Sequence, residues 1–197
     1  MKTNRFLLVC MAFLLSSAAF GQKIKIVSGN ISDLQGMSEL NIEYDYSGLG
    51  VGKFDVEADY LDKKVADKNE DEAGSGDLWK QAWFDDRPIR FEPKFEELLN
   101  NYAPVINSGQ DVEAEITMLV HTTFIEPGYN VGVSRKPAMI NLELIFSRGD
   151  EQVLVMTLTK SPGSGAMGYD FDTGYRISEA YAKAGKSLGK YLMGKLY

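Results

Sequence analysis

AMINLELIFSRGDEQVLVMTLTK, residues 138–160, decides the fold. Ile140, Leu142, Leu144 and Phe146 fall at every second position, with Asn141 and Glu143 between them. A period of two places alternate side chains on one face of a β-strand. Arg148-Gly149-Asp150-Glu151 supplies a turn, and Gln152 to Lys160 returns as a second strand. Upstream, Val112, Ala114, Ile116, Met118 and Val120 repeat the pattern and predict a third strand over 112–124.

Downstream, Ser161 to Gly168 reads as a Gly-rich linker, and Tyr175 to Met193 as a helix. In that helix Ile177, Ala180 or Tyr181, Ala184, Leu188 and Tyr191 or Leu192 recur at three- and four-residue steps, which makes an apolar stripe. Phe91 to Tyr102 predicts another helix, with Phe91, Phe95, Leu98 and Leu99 on one face and Pro104 closing it. Asp77 is a suitable N-cap for a short helix over Leu78 to Asp86, ended by Pro88. Asp67 to Gly76 is polar and Gly-bearing and reads as a loop. Leu40, Ile42, Tyr44 and Tyr46 alternate as a half-buried strand, and Gly48, Gly50 and Gly52 break it. Phe54, Val56, Ala58 and Tyr60 alternate with acids as a further strand, able to tip into helix by Leu61 to Val65. Lys23 to Ser28 is a short first strand. Strands bracketed by helices, with no internal repeat, favour an α+β fold. The expected form is a mostly antiparallel sheet with helices packed on one face and a long amphipathic C-terminal helix.

The chain opens with Lys2 and Arg5, an apolar run from Phe6 to Leu15, and small residues ending at Gly21. That is the anatomy of a cleaved export signal over residues 1–21, leaving 22–197 as a single domain. The apolar core is shorter than the roughly 20 residues a membrane span requires, so no transmembrane span is expected. Cys10 is the sole cysteine and would leave with the leader, so disulfides and thiolate chemistry are not expected in the mature chain. Leu7-Leu8-Val9-Cys10 loosely resembles a lipobox, but Val9 is bulky and the apolar run continues past Cys10. These features place the protein outside a bacterial cytoplasm, in the periplasm or beyond.

Losing Lys2 and Arg5 takes the net charge from −7 to −9, which disfavours nucleic acid as a partner. The charge is uneven. Asp55 to Glu97 holds fourteen acids against seven bases, whereas Gly174 to Tyr197 holds five bases against Glu179 alone. Lys183, Lys186 and Lys190 fall on one helical face and form a candidate dock for an acidic partner or an anionic surface.

No motif assembles a reaction. Gly163-x-Gly165-x-x-Gly168 follows a strand but is not followed at once by the helix that a dinucleotide site needs. Gly185-Lys186-Ser187 sits inside a helix, where free amides for a phosphate are lacking, and its small residues suit packing of the helix on the sheet. Asp67-x-Asn69-x-Asp71 has the opening spacing of a calcium loop, but Glu72 and Leu78 stand where the turn glycine and closing acid belong. His121 is the sole histidine and is expected on the surface beside carboxylates; a hydrolase built on it would lack a nucleophile motif. The acid pairs Asp85-Asp86 and Glu96-Glu97 point apart on a helix. Trp79 and Trp83 stand one turn apart, serving either the core or a stacking platform for a small ligand or glycan.

From Glu126-Pro127-Gly128-Tyr129, through Arg135-Lys136 and the two following strands, to the helix ending Ala182-Lys183-Ala184-Gly185-Lys186-Ser187-Leu188-Gly189-Lys190-Tyr191-Leu192, the chain resembles exported bacterial domains related to the TolB amino-terminal domain. That fold is similar to the penicillin-binding-protein activator and curli secretion lipoproteins. The resemblance covers Phe91 to Leu192 best, with Leu40 to Tyr46 as the opening strand and Leu49 to Arg90 as an insertion. It implies a non-enzymatic envelope protein that works by contact with other proteins, with no catalytic residue, metal or cofactor. The alternatives are a ligand or glycan binder using Trp79 and Trp83, and a hydrolase around His121.

Overall fold

The computed structural model describes residues 22–163 and 172–197. Residues 1–21, with the expected leader and Cys10, and residues 164–171, with Gly165 and Gly168, lie outside the described residues.

The chain runs β1 (Lys23–Gly29), a 3-10 turn (Ile31–Leu34), β2 (Glu39–Asp45), β3 (Gly50–Val51), α1 (Glu57–Asp71), α2 (Ser75–Asp86), a π-helical segment (Arg87–Phe91) and α3 (Glu92–Tyr102). It continues through β4 (Asn107–Gly109), β5 (Ile116–Glu126), β6 (Tyr129–Asn130), β7 (Arg135–Lys136), β8 (Met139–Arg148), β9 (Glu151–Pro162) and α4 (Thr173–Leu196). The main sheet has the order β1-β9-β8-β5-β2-β4, with β3 also beside β5. The β1, β9, β8 and β5 neighbours are antiparallel, while β2, β3 and β4 join in parallel, so the sheet is mixed within an α+β fold. The β8–β9 hairpin pairs Arg148 with Glu151 and Leu144 with Met156, as the 138–160 pattern predicts.

One face of the sheet is buried. Met118, Val120, Ile140, Leu142, Leu144, Phe146, Met156 and Leu158 meet the helices there. The apolar stripe of α4 (Ile177, Ala180, Tyr181, Ala184, Leu188, Leu192) lies over them. Phe91 stacks on Tyr181 at 5.2 Å between ring centroids and 7° between planes. Gly185 and Gly189 of α4 face α3, not the sheet: a Cβ on Gly185 would overlap the Phe95 carbonyl, and one on Gly189 would come within 3.0 Å of the Leu99 carbonyl. These small residues let the two helix backbones approach, a different neighbour from the one expected from sequence.

Four other expectations are corrected. Residues 57–71 are helical; Glu57 and Asp59 sit at the helix start and Lys68 in its last turn, where each complements the dipole. The strand-like alternation of 54–60 therefore gives way after Val56. The loop expected over 67–76 shrinks to the short turn between α1 and α2, and Gly74 takes a left-handed φ of 85° there. Pro88 does not end the helical run. Asp86 and Arg87 both keep right-handed helical backbone, and the chain passes through the π segment into α3. The strand predicted over 112–124 starts later, at Ile116, and runs on to Glu126. No described helix is long and apolar enough to cross a membrane.

Candidate functional site

The two tryptophans lie at the α1–α2 corner. Tyr60 of α1 packs against Trp79 at 5.9 Å and Trp83 at 5.3 Å between centroids, and Phe54 adds a further contact to Tyr60 at 5.9 Å. Trp83 is 4% exposed and Trp79 is half-buried. Trp83 therefore belongs to the core and offers no open platform. Its Nε1 donates to Glu57 Oε1 at 2.6 Å, and Arg87 donates to the same oxygen at 2.5 Å. Burial pushes the Tyr60 phenol up to about 12. A cleft of about 400 Å³ opens beside this cluster, lined by Tyr60, Lys64, Lys68, Trp79 and Trp83 on one side and by Asp86, Arg90 and Asp172–Gly174 on the other.

The lysine stripe is partly engaged. Lys183 and Lys190 are exposed and Lys186 half-buried. Lys186 Nζ lies 4.6 Å and Lys190 Nζ 5.2 Å from the Tyr102 ring centroid on α3. The hydrogen bond from Lys186 holds the Tyr102 phenol below its ordinary value. Two of the three cations thus cover an aromatic face, and Lys183 is left as the outward charge.

His121 projects from the open face of the sheet, between Asp45 of β2 and Glu143 of β8 in the strand register. Its Nε2 lies 2.9 Å from the Ser47 carbonyl and 3.8 Å from Asp45; its Nδ1 lies 3.5 Å from Glu143. Hydrogen bonds from Ser47 hold the Asp45 carboxyl below its usual range, with His121 contributing. The neighbouring carboxylates come from the two adjacent strands. No hydroxyl or thiol partners the ring among the described residues.

The calcium-like spacing Asp67, Asn69, Asp71 falls on the C-terminal end of α1. Asn69 Oδ1 accepts the Gly76 N–H at 2.8 Å, and its amide reaches Asp77. Among the described residues no group of three or more histidine, cysteine or acidic side chains is placed to hold a metal. The acid pairs diverge: Asp85 accepts from Gln81, Asp86 pairs with Arg90, Glu96 accepts from Tyr44, and Glu97 pairs with Lys94.

The surface that sequence reading passed over is the β6–β7 arm. It joins β5 to β8 as a separate two-stranded ribbon, pairing Tyr129 with Lys136 and Asn130 with Arg135. Residues 131–137 are all exposed. Val133 is 100% exposed, Val131 64% and Tyr129 45%. Lys136 anchors the base of the arm to Glu126 at 2.6 Å. The alternation Tyr129, Val131, Val133 was the available signal, since these apolar residues face no partner strand in the 112–160 meander.

No protein-family model matches this chain, and no curated protein matches it. Solved structures that align with it include two of a PelC dodecamer from Paraburkholderia phytofirmans. Each alignment covers 83% of this chain and 96% of that one at 9% identity, with TM-scores of 0.36 and 0.35. Values of this size assign neither fold nor function to this chain.

Proposed function

We propose that this is an exported envelope protein that works by contact with another protein and performs no chemistry. The observation that carries the reading is the β6–β7 arm, which presents Val131, Val133 and Tyr129 to solvent on a short ribbon. Exposed apolar side chains gathered on one projection mark an interaction site, because each costs hydration until a partner covers it. The resemblance to TolB amino-terminal domains supports the same reading, as does the export-signal anatomy of residues 1–21.

The test is affinity recovery from the bacterial envelope with the full chain as bait, beside a Val131→Ser, Val133→Ser double variant. Both substitutions lie on exposed positions and leave the core intact. One stoichiometric partner retained by the wild type and lost by the variant supports the proposal. Equal recovery by both baits, or repeated recovery of the bare chain, contradicts it.

A further inference from the structure

The cleft beside Trp79 continues into a second hollow. This one is about 280 Å³ and is lined by Lys53, Phe54, Tyr60, Lys64, Glu126 and Tyr129, among others. Tyr60 and Lys64 line both hollows, so the two join into one elongated groove. Along it the aromatic rings of Phe54, Tyr60 and Trp79 follow one another at 5.9 Å steps.

The electrostatics of this groove differ from those of the acidic body around it. Every carboxylate that lines it already has a cation: Asp86 and Asp172 share Arg90, each at 3.0 Å, and Glu126 has Lys136. Three lysines that line it, Lys53, Lys64 and Lys68, form no ion pair among the described residues. Lys53 Nζ lies 5.4 Å from the Phe54 ring centroid. Lys64 and Lys68 are one helical turn apart, about 6 Å along the axis of α1. Spaced cations beside the half-buried rings of Phe54 and Trp79 match a ligand with repeated anions and flat apolar faces, not a single compact anion.

We infer that this groove binds an acidic oligosaccharide, with the C–H faces of its sugar rings on the half-buried Trp79 and Phe54 and its carboxylates on Lys64, Lys68 and Lys53. Single-stranded nucleic acid shares the combination of stacking faces and anions. Its phosphates would draw on the same three lysines, so a single strand is one of the outcomes of the test. The groove borders the β6–β7 arm at Tyr129, but Val131 and Val133 do not line it, so substitutions there separate the two surfaces.

The probe is a galacturonic acid hexamer titrated into the full chain, followed by tryptophan emission and calorimetry, with maltohexaose and a hexathymidylate in parallel. The expected result is saturable binding of the uronate hexamer that weakens with salt, with maltohexaose at least tenfold weaker. A Lys64→Gln, Lys68→Gln variant loses at least tenfold in affinity. Lys64 is exposed and Lys68 half-buried, so a wild-type far-ultraviolet spectrum and unfolding curve verify the fold of that variant. Trp79→Leu gives a parallel loss, and the Val131→Ser, Val133→Ser variant binds as the wild type does. Absence of saturable uronate binding, equal affinity in the lysine variant, or binding of hexathymidylate alone overturns the inference.

Discussion

The hydroxyls of Thr122 on β5 and Tyr181 on α4 meet 2.6 Å apart, with both residues fully buried. This hydrogen bond joins the sheet to its covering helix where water cannot replace it. Tyr181→Phe leaves the Thr122 hydroxyl without that partner, which costs about 1–3 kcal/mol. Adding Thr122→Val removes the orphaned group and recovers part of the loss. Urea unfolding of the two single variants and the double variant measures the coupling; strict additivity would show that the contact contributes nothing.

The glycines of α4 differ in what surrounds them. A Cβ at Gly185 meets the α3 backbone at Phe95, whereas one at Gly194 meets nothing within 4 Å. Gly185→Ala forces α3 and α4 apart and costs about 1–3 kcal/mol or more. Gly194→Ala removes backbone freedom from the unfolded chain and stabilises by up to about 1 kcal/mol. Thermal unfolding of the two variants should shift in opposite directions.

Glu92 gives stability a pH dependence. It is buried on α3, where it accepts hydrogen bonds from Tyr46 and Gln110. Burial raises its carboxyl above the usual range, against those bonds and the nearby Arg87. An acid whose folded pKa is raised binds its proton more tightly when folded. The stability it contributes is therefore present below its unfolded pKa and is lost as pH rises through the folded value. Glu92→Gln abolishes that titration. Relative to wild type, the variant should gain stability between about pH 4 and pH 7, across the ordinary carboxyl range and above it. Parallel unfolding curves at both pH values check the sign; a gap that narrows in the opposite direction refutes it.

The Glu57 carboxylate holds both the Trp83 indole and Arg87 through one oxygen. Glu57→Ala strands the Trp83 N–H and a largely buried guanidinium, and should cost about 3–5 kcal/mol, the range for breaking a buried pair. Glu57→Gln keeps an acceptor for the indole and should cost less. The order of the two unfolding midpoints decides the matter.

The β8–β9 hairpin and α4 were legible because each buries one face along its whole length, so local periodicity and tertiary burial agree. Residues 54–60 misled for the opposite reason. Phe54, Val56, Ala58 and Tyr60 alternate over only seven positions, and the helix is set by what lies beyond them. Tyr60 and Leu61 turn into the core together, and Tyr60 packs on Trp79 and Trp83. A period-two pattern cannot represent that contact. Parallel pairing of β2 with β5 also escaped the sequence, since it depends on the crossover through three helices. Lys183, Lys186, Lys190, Trp79 and Trp83 were visible from helical spacing alone. The Tyr102 face that occupies two of those lysines, and the groove that brings Lys53 to Lys64 and Lys68, arise from non-local packing that no spacing encodes.

The most direct measurement of the contact reading is site-specific crosslinking in cells. A photo-crosslinking amino acid is placed at Val133 on the β6–β7 arm and, as a control, at Glu151 in the β8–β9 turn. The account predicts one discrete adduct with a single envelope protein from position 133 and none from 151. No adduct at either position, or the same adducts at both, would contradict it.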